Sequence, residues 1–215
     1  MHLNLSADEV LTTTRAVRKR LDFDRPVERE VIEECIQIGI QAPTGSNSQT
    51  YHWVVVTDPE VKKPIADHYR QNFFAFYGQP QASPYPDDDP RTDRLEAVVD
   101  SATYLANRLH EVPVWVIPCM EGRMGEGHPS FLQASLWGSI MPAVWSFMLA
   151  ARERGLGTTW TTLHLPQEQE SAELLGIPFE SVTQVGLIPV AYTKGTDFKP
   201  ASRVGAEDRT HWERW

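Results

Sequence analysis

At 215 residues the chain suits a single domain able to bury a sizeable core. Its 41% hydrophobic and 23% charged content is that of a soluble globular protein, and a net charge of −9 argues against nucleic acid or an anionic membrane as a general partner. Seven histidines without HExxH spacing and two distant cysteines, Cys35 and Cys119, give no metal site; the thiols read as buried residues of a cytoplasmic protein.

Residues His2 to Glu9 are polar and read as a helix start rather than a targeting segment. Ser6-Ala7-Asp8-Glu9 matches a capping box, which predicts a helix beginning just before Val10 and Leu11. Thr14-Arg15-Ala16-Val17-Arg18-Lys19-Arg20 follows, the one dense basic cluster in an acidic chain. Arg15 and Arg18, three apart, are expected to share a helix face and to repel unless an anion sits between them. Two readings stand side by side: a solvated helix end, where cations are favoured, and a bound anion, a phosphate above all.

Pro26 to Ala42 reads as a second helix, apolar at Val31, Ile32, Ile36 and Ile40 and stopped by Pro43. Pro43 to Gln49 is a loop of small hydrogen-bonding residues feeding the strand Trp53–Thr57. A surface turn explains that composition, yet the loop is longer and more polar than a helix-to-strand connection needs. Asp58 caps a helix through Phe73, Phe74, Phe76 and Tyr77. Gln79 to Thr92, rich in Pro and Asp, reads as an exposed mobile loop. The aromatics beside it are either a substrate lid or core. A helix from Asp93 to His110 and a short apolar strand, Val112 to Pro118, come next, then a glycine-containing loop from Met120 to His128.

From Pro129 to Ala151 there is no Asp, Glu, Lys or Arg. A helix apolar nearly all round is buried in a core, a subunit interface or a membrane; nothing else in the chain is compatible with lipid, so the first two readings are preferred. Arg152 to Gly157 ends this helix with cations and a glycine stop, and Thr158 to Thr162 reads as a strand carrying hydroxyls into the interior, a favourable place for a ligand. Pro166 to Leu175 is a short helix closed by Gly176, and Val185 to Ala191 is the last clear strand. The tail from Lys199, with Trp212 and Trp215, has no packing pattern of its own and is expected to wrap something, such as a second subunit. Four short strands among about six helices make an α+β domain.

Three separated segments together resemble the nitroreductase family of flavoproteins: Arg15-Ala16-Val17-Arg18, the loop Ala42-Pro43-Thr44-Gly45-Ser46-Asn47-Ser48-Gln49, and the run from Ser139 through Pro142 to Gly157. The closing strand Gly186 to Val190 and Lys199 to Arg203 also fit, while roughly Tyr69 to Arg108 does not. The resemblance implies a single FMN-binding domain over 1–215, with a central, mostly antiparallel sheet flanked by helices. It also implies an intertwined homodimer with the flavin in the subunit interface, a variable lid over 69–108 and a tail, 199–215, around the partner. Carried over, Arg15, Ala16, Arg18 and Arg203 hold the FMN phosphate. Pro43, Thr44, Asn47 and Gln49 reach the ribityl chain and ring edge, and Thr161 and Thr162 lie near the ring. Ala16 stands where the family has Ser, Thr50-Tyr51 where it has Pro-Trp, and Leu21 where an aromatic is common.

The implied activity is hydride transfer from NAD(P)H through flavin N5 to an electron-poor small molecule such as a nitroaromatic or quinone, admitted past Phe73, Phe74 and Tyr77. The cofactor carries the chemistry, so no catalytic acid or base is nominated. Rival readings keep the fold but make it a dehalogenase, a substrate oxidase or a flavin-fragmenting enzyme. A non-catalytic flavin store, or a cofactor-free dimer, is the reading from another class.

Overall fold

The computed structural model describes residues 1–78, 85, 89, 91–123, 125 and 127–215. Most of the loop expected over Gln79 to Thr92 therefore lies outside the described residues. The fold is α+β, with helices α1 (Ala7–Thr13), α2 (Arg29–Gly39), α3 (Pro59–Tyr77), α4 (Thr92–Arg108), α5 (Ser130–Glu153) and α6 (Glu168–Leu175). The strands are β1 (Tyr51–Val56), β2 (Val114–Glu121), β3 (Leu156–Thr158), β4 (Val182–Gln184) and β5 (Ile188–Tyr192).

All strand pairs are antiparallel, in the order β1-β2-β5-β3, with β4 pairing the far end of β2. β2 is apolar on both sides because both are covered. Val114, Val116 and Met120 join a core layer with Ile32 and Cys35 of α2 and Ile140, Val144 and Phe147 of α5. Trp115, Ile117 and Cys119 face the opposite layer, built with Ile65, Tyr69 and Phe73 of α3 and Leu105 of α4. Gly39 lets α2 close on α5, since a Cβ there would stand 2.9 Å from Ala143 O. Both thiols are buried, which pushes each up to about 12.

The capping box forms as expected: Ser6 Oγ accepts from Glu9 N and Glu9 Oε2 from Ser6 N. The helix then ends sooner than the basic cluster suggested. Thr12, Thr13 and Thr14 each turn a hydroxyl back onto the carbonyl four residues earlier, at 2.6 to 2.7 Å, and three adjacent β-branched residues disfavour another turn. From Thr14 the chain is extended, Ala16 bridging Thr158 and Val17 N donating to Thr158 O at 2.9 Å. Arg15 and Arg18 therefore share no helix face. In extended chain, residues three apart point to opposite sides.

α5 is long and apolar enough to cross a membrane by length and composition alone. Its inner face packs on the sheet and α2, while Phe131, Leu132, Met141 and Trp145 stay exposed on one chain. The strand expected at Thr158 to Thr162 sits earlier, at Leu156–Thr158, where Gly155 (φ 74°) has ended the helix. Thr159 to Thr162 instead runs irregularly beside β5, tied by a single bridge from Thr161 to Leu187. The single strand expected near the end is two, β4 and β5.

Candidate functional site

Two adjoining cavities, of about 540 and 1020 Å³, share Tyr85, Leu95 and Val98 in their walls and together make a cleft. Its narrower end is cationic. Arg15 enters from the extended segment after α1, Arg91 from the N-cap of α4 and Arg94 from its first turn, and Lys199 and Arg203 from the tail. No carboxylate is among the lining residues of that end. The Arg15 guanidinium is acidified first by burial and then by the positive charges of Arg203 and Arg94, so the cations are close enough to repel. Arg91 is already engaged, with Nε and Nη2 on the Asp89 carboxylate at 2.8 and 2.5 Å.

The wider end is aromatic. Tyr69, Phe73 and Tyr77 line it from α3, facing Trp160, Thr161 and Thr162 from the segment after β3. Arg18 opens into this end rather than joining Arg15; its Nη1 lies 3.5 Å from Ser101 Oγ. Burial pushes the Tyr69 phenol up to about 12, against the opposing charge of Arg18, so Tyr69 stays a neutral donor at neutral pH. Thr161 directs its hydroxyl onto Leu187 O at 2.6 Å and its amide onto the same atom at 3.1 Å. Thr162 is exposed and makes no side-chain hydrogen bond among the described residues, so its donors are open to a ligand.

Of the residues singled out from sequence, Arg15 and Arg203 meet at the cationic end, and Arg18, Phe73, Tyr77, Thr161 and Thr162 at the aromatic end. Phe74 is turned away, 38% exposed and stacked edge-on against Phe73. Ala16 offers backbone only, and its side chain is exposed. Pro43, Thr44, Asn47 and Gln49 line neither cavity. Their loop is pinned to α5 instead, Gly45 N donating to Ser139 Oγ at 3.0 Å. It is also strained. Ser46, Asn47 and Gln49 all have φ between 52° and 54°, a left-handed conformation costing a non-glycine residue about 1–3 kcal/mol and found where backbone shape is held for function.

Arg94, Tyr69, Trp160, Leu95 and Val98 were not singled out beforehand. The spacing Arg91, Arg94–Leu95, Val98 places these residues on one face of α4, a signal present in the sequence but lying where no family pattern guided the reading.

The nitroreductase family model matches residues 11–192. The chain belongs to the nitroreductase family. It is 26% identical, over 96% of its length and 97% of the relative's, to a protein of Archaeoglobus fulgidus named as an NADH dehydrogenase/NAD(P)H nitroreductase. It resembles an FMN- and NADPH-dependent nitroreductase from Sphigopyxis sp. strain HMH (TM-score 0.71, 22% identity, covering 98% of this chain and 100% of that one). It also resembles iodotyrosine deiodinase bound to FMN and 3-iodo-L-tyrosine (TM-score 0.69, 22% identity, 92% and 94% covered). At such identities the two structures share its fold.

Proposed function

We propose that the cleft holds FMN with its phosphate at the cationic end and its ring at the aromatic end, and that the protein passes hydride from NAD(P)H to an electron-poor aromatic acceptor. Family membership makes the chain an NAD(P)H-dependent flavin oxidoreductase; the placement, acceptor and assembly are this reading. The observation that carries it is the adjoining of two unlike cavities, one lined by cations with no carboxylate among its described lining residues, the other walled by aromatic rings, in the order a mononucleotide presents its parts.

Bound FMN supplies the two-electron carrier. Arg15 and Arg203 bind its phosphate by charge-assisted hydrogen bonds, which two guanidinium groups in no ion pair among the described residues suit. Thr162 offers a donor toward the ring, while Thr161 holds the segment in place through Leu187. Tyr69, Phe73, Tyr77 and Trp160 receive a flat aromatic molecule by stacking and apolar contact.

The strained loop from Pro43 to Gln49 belongs to the same site in this reading, but in a second copy. It is fixed to α5 at Ser139, on the helix that also exposes Leu132 and Met141, and in this reading the pairing of two such helices brings each loop to the other chain's cleft. The tail with its exposed Trp212 and Trp215 wraps the partner. Purified protein should be yellow, release FMN on heating and oxidise NADH or NADPH in the presence of a quinone or nitroaromatic. A colourless protein that gains no such activity with added FMN overturns the reading.

A further inference from the structure

The cationic end of the cleft carries more charge than one phosphate monoester needs. Arg15, Arg94, Lys199 and Arg203 line it, and among the described residues none of the four is in an ion pair, whereas Arg91 is neutralised by Asp89. A phosphate monoester carries about −1.5 to −2 at neutral pH and balances two of them. Arg94 and Lys199 remain, brought in by separate elements, α4 and the tail. Like charges gathered in a partly enclosed space are unfavourable, and Arg15 is acidified by burial first and then by Arg203 and Arg94. In a chain of net charge −9 they are not a general basic surface.

We propose that Arg94 and Lys199 form a second phosphate subsite that receives the 2′-phosphate of NADPH, making the enzyme selective for NADPH over NADH. The inference rests on the flavin reading above. A dinucleotide whose nicotinamide occupies the aromatic end trails its adenosine half along the shared wall of Tyr85, Leu95 and Val98 toward the cations. NADH brings a pyrophosphate there, each phosphorus singly charged. NADPH adds a terminal dianion, which a guanidinium fork and an ammonium group match in charge and geometry. Arg94 is one residue from Leu95 and four from Val98, so its side chain stands on the α4 face that forms that wall.

The test uses the FMN-loaded protein. Anaerobic stopped-flow reduction should show NADPH preferred by about tenfold or more in second-order rate, and Arg94→Gln and Lys199→Gln should each weaken NADPH by about tenfold. NADH reduction should stay within about twofold and FMN content should stay at the wild-type level. A second readout is independent of turnover: calorimetric titration with adenosine 2′,5′-bisphosphate against 5′-AMP. The bisphosphate should bind more tightly to the wild type, and the double variant should lose the difference. Equal use of both nicotinamides, equal weakening of both by Arg94→Gln, loss of FMN from that variant, or indistinguishable binding of the two adenylates would each overturn the subsite. If neither nicotinamide reduces the flavin, the oxidoreductase reading fails instead, and the adenylate titration still decides whether the subsite exists.

Discussion

Thr161 directs both of its donors onto Leu187: amide and hydroxyl reach Leu187 O at 3.1 and 2.6 Å, and Leu187 N returns a bond to Thr161 O at 2.8 Å. A residue so occupied is a fastener. Its neighbour Thr162, facing the same cavity, is not. Thr161→Val should therefore cost about 0.5–1.5 kcal/mol of stability, with flavin reduction close to wild type. Thr162→Ala should do the reverse, leaving stability within about 0.5 kcal/mol and slowing flavin reduction by roughly fivefold to tenfold. Thermal melts and stopped-flow reduction separate the two, and a swapped pattern would reverse the assignment.

Arg15 and Arg203 stand at one end of the cleft and Arg18 at the other. Arg15→Ala and Arg203→Ala should each raise the FMN dissociation constant by about 10- to 100-fold, the loss expected for one charge-assisted contact. Arg18→Ala should weaken FMN less, since its guanidinium lies by Tyr69 and Ser101. Fluorescence titration of the apoprotein measures all three; an equal loss from Arg18→Ala would contradict the division.

Gly157 is a place where backbone passes close to packed side chains. A Cβ there would stand 2.7 Å from Thr193 Cγ2 and 2.9 Å from both Val17 Cβ and Leu21 Cδ2. Gly157→Ala should destabilise the fold by about 1–3 kcal/mol. It should also weaken FMN binding, because the displaced segment carries Arg15 and Arg18. Unfolding by urea, followed by FMN titration of the folded variant, tests both parts.

His164 is fully buried, with no hydrogen bond at either ring nitrogen among the described residues. Burial pushes it from 6.5 down to about 4, while the neighbouring Gln184 amide and Glu168 carboxylate pull the other way without closing a hydrogen bond to it. The unfolded chain takes up this proton first, so the contribution is whole above the unfolded pKa and is lost as pH falls through 6.5 toward 4. The loss is on the order of 3 kcal/mol. In His164→Gln the difference in stability between pH 7 and pH 4 should shrink by that order, measured by urea unfolding at each pH.

On α5, Trp145 is 43% exposed on one chain and Met141 42%. Under the proposed assembly both are covered by the partner. Trp145→Glu should give a monomer in light scattering with reduced flavin content, since an uncompensated buried carboxylate is strongly unfavourable. A Trp145→Glu protein that remains a flavin-loaded dimer would place the interface elsewhere.

Much of this protein is written locally. The capping box at Ser6, the proline-opened α3, the left-handed Gly176 after α6 and the charge-free length of α5 are short-range preferences. The structure keeps them because nothing distant opposes them. Arg15, Arg203, Thr161 and Thr162 were expected at a site through the family pattern, and the structure sets them in the walls of two adjoining cavities.

Other features were decided by contacts between segments far apart in sequence. Arg15 and Arg18 part company because Thr158 draws Ala16 and Val17 into a bridge, which a helical reading of the cluster could not contain. Arg94 reaches the cations of the tail through the packing of α4 on α3, across about a hundred residues of sequence separation from Lys199 and Arg203. The loop of Thr44, Asn47 and Gln49 had a readable composition, but its place depended on Ser139, ninety-four positions away from Gly45. Spacing along a chain specifies which side chains share an element; it does not specify which elements meet, and a cleft built from five segments exists only once they have.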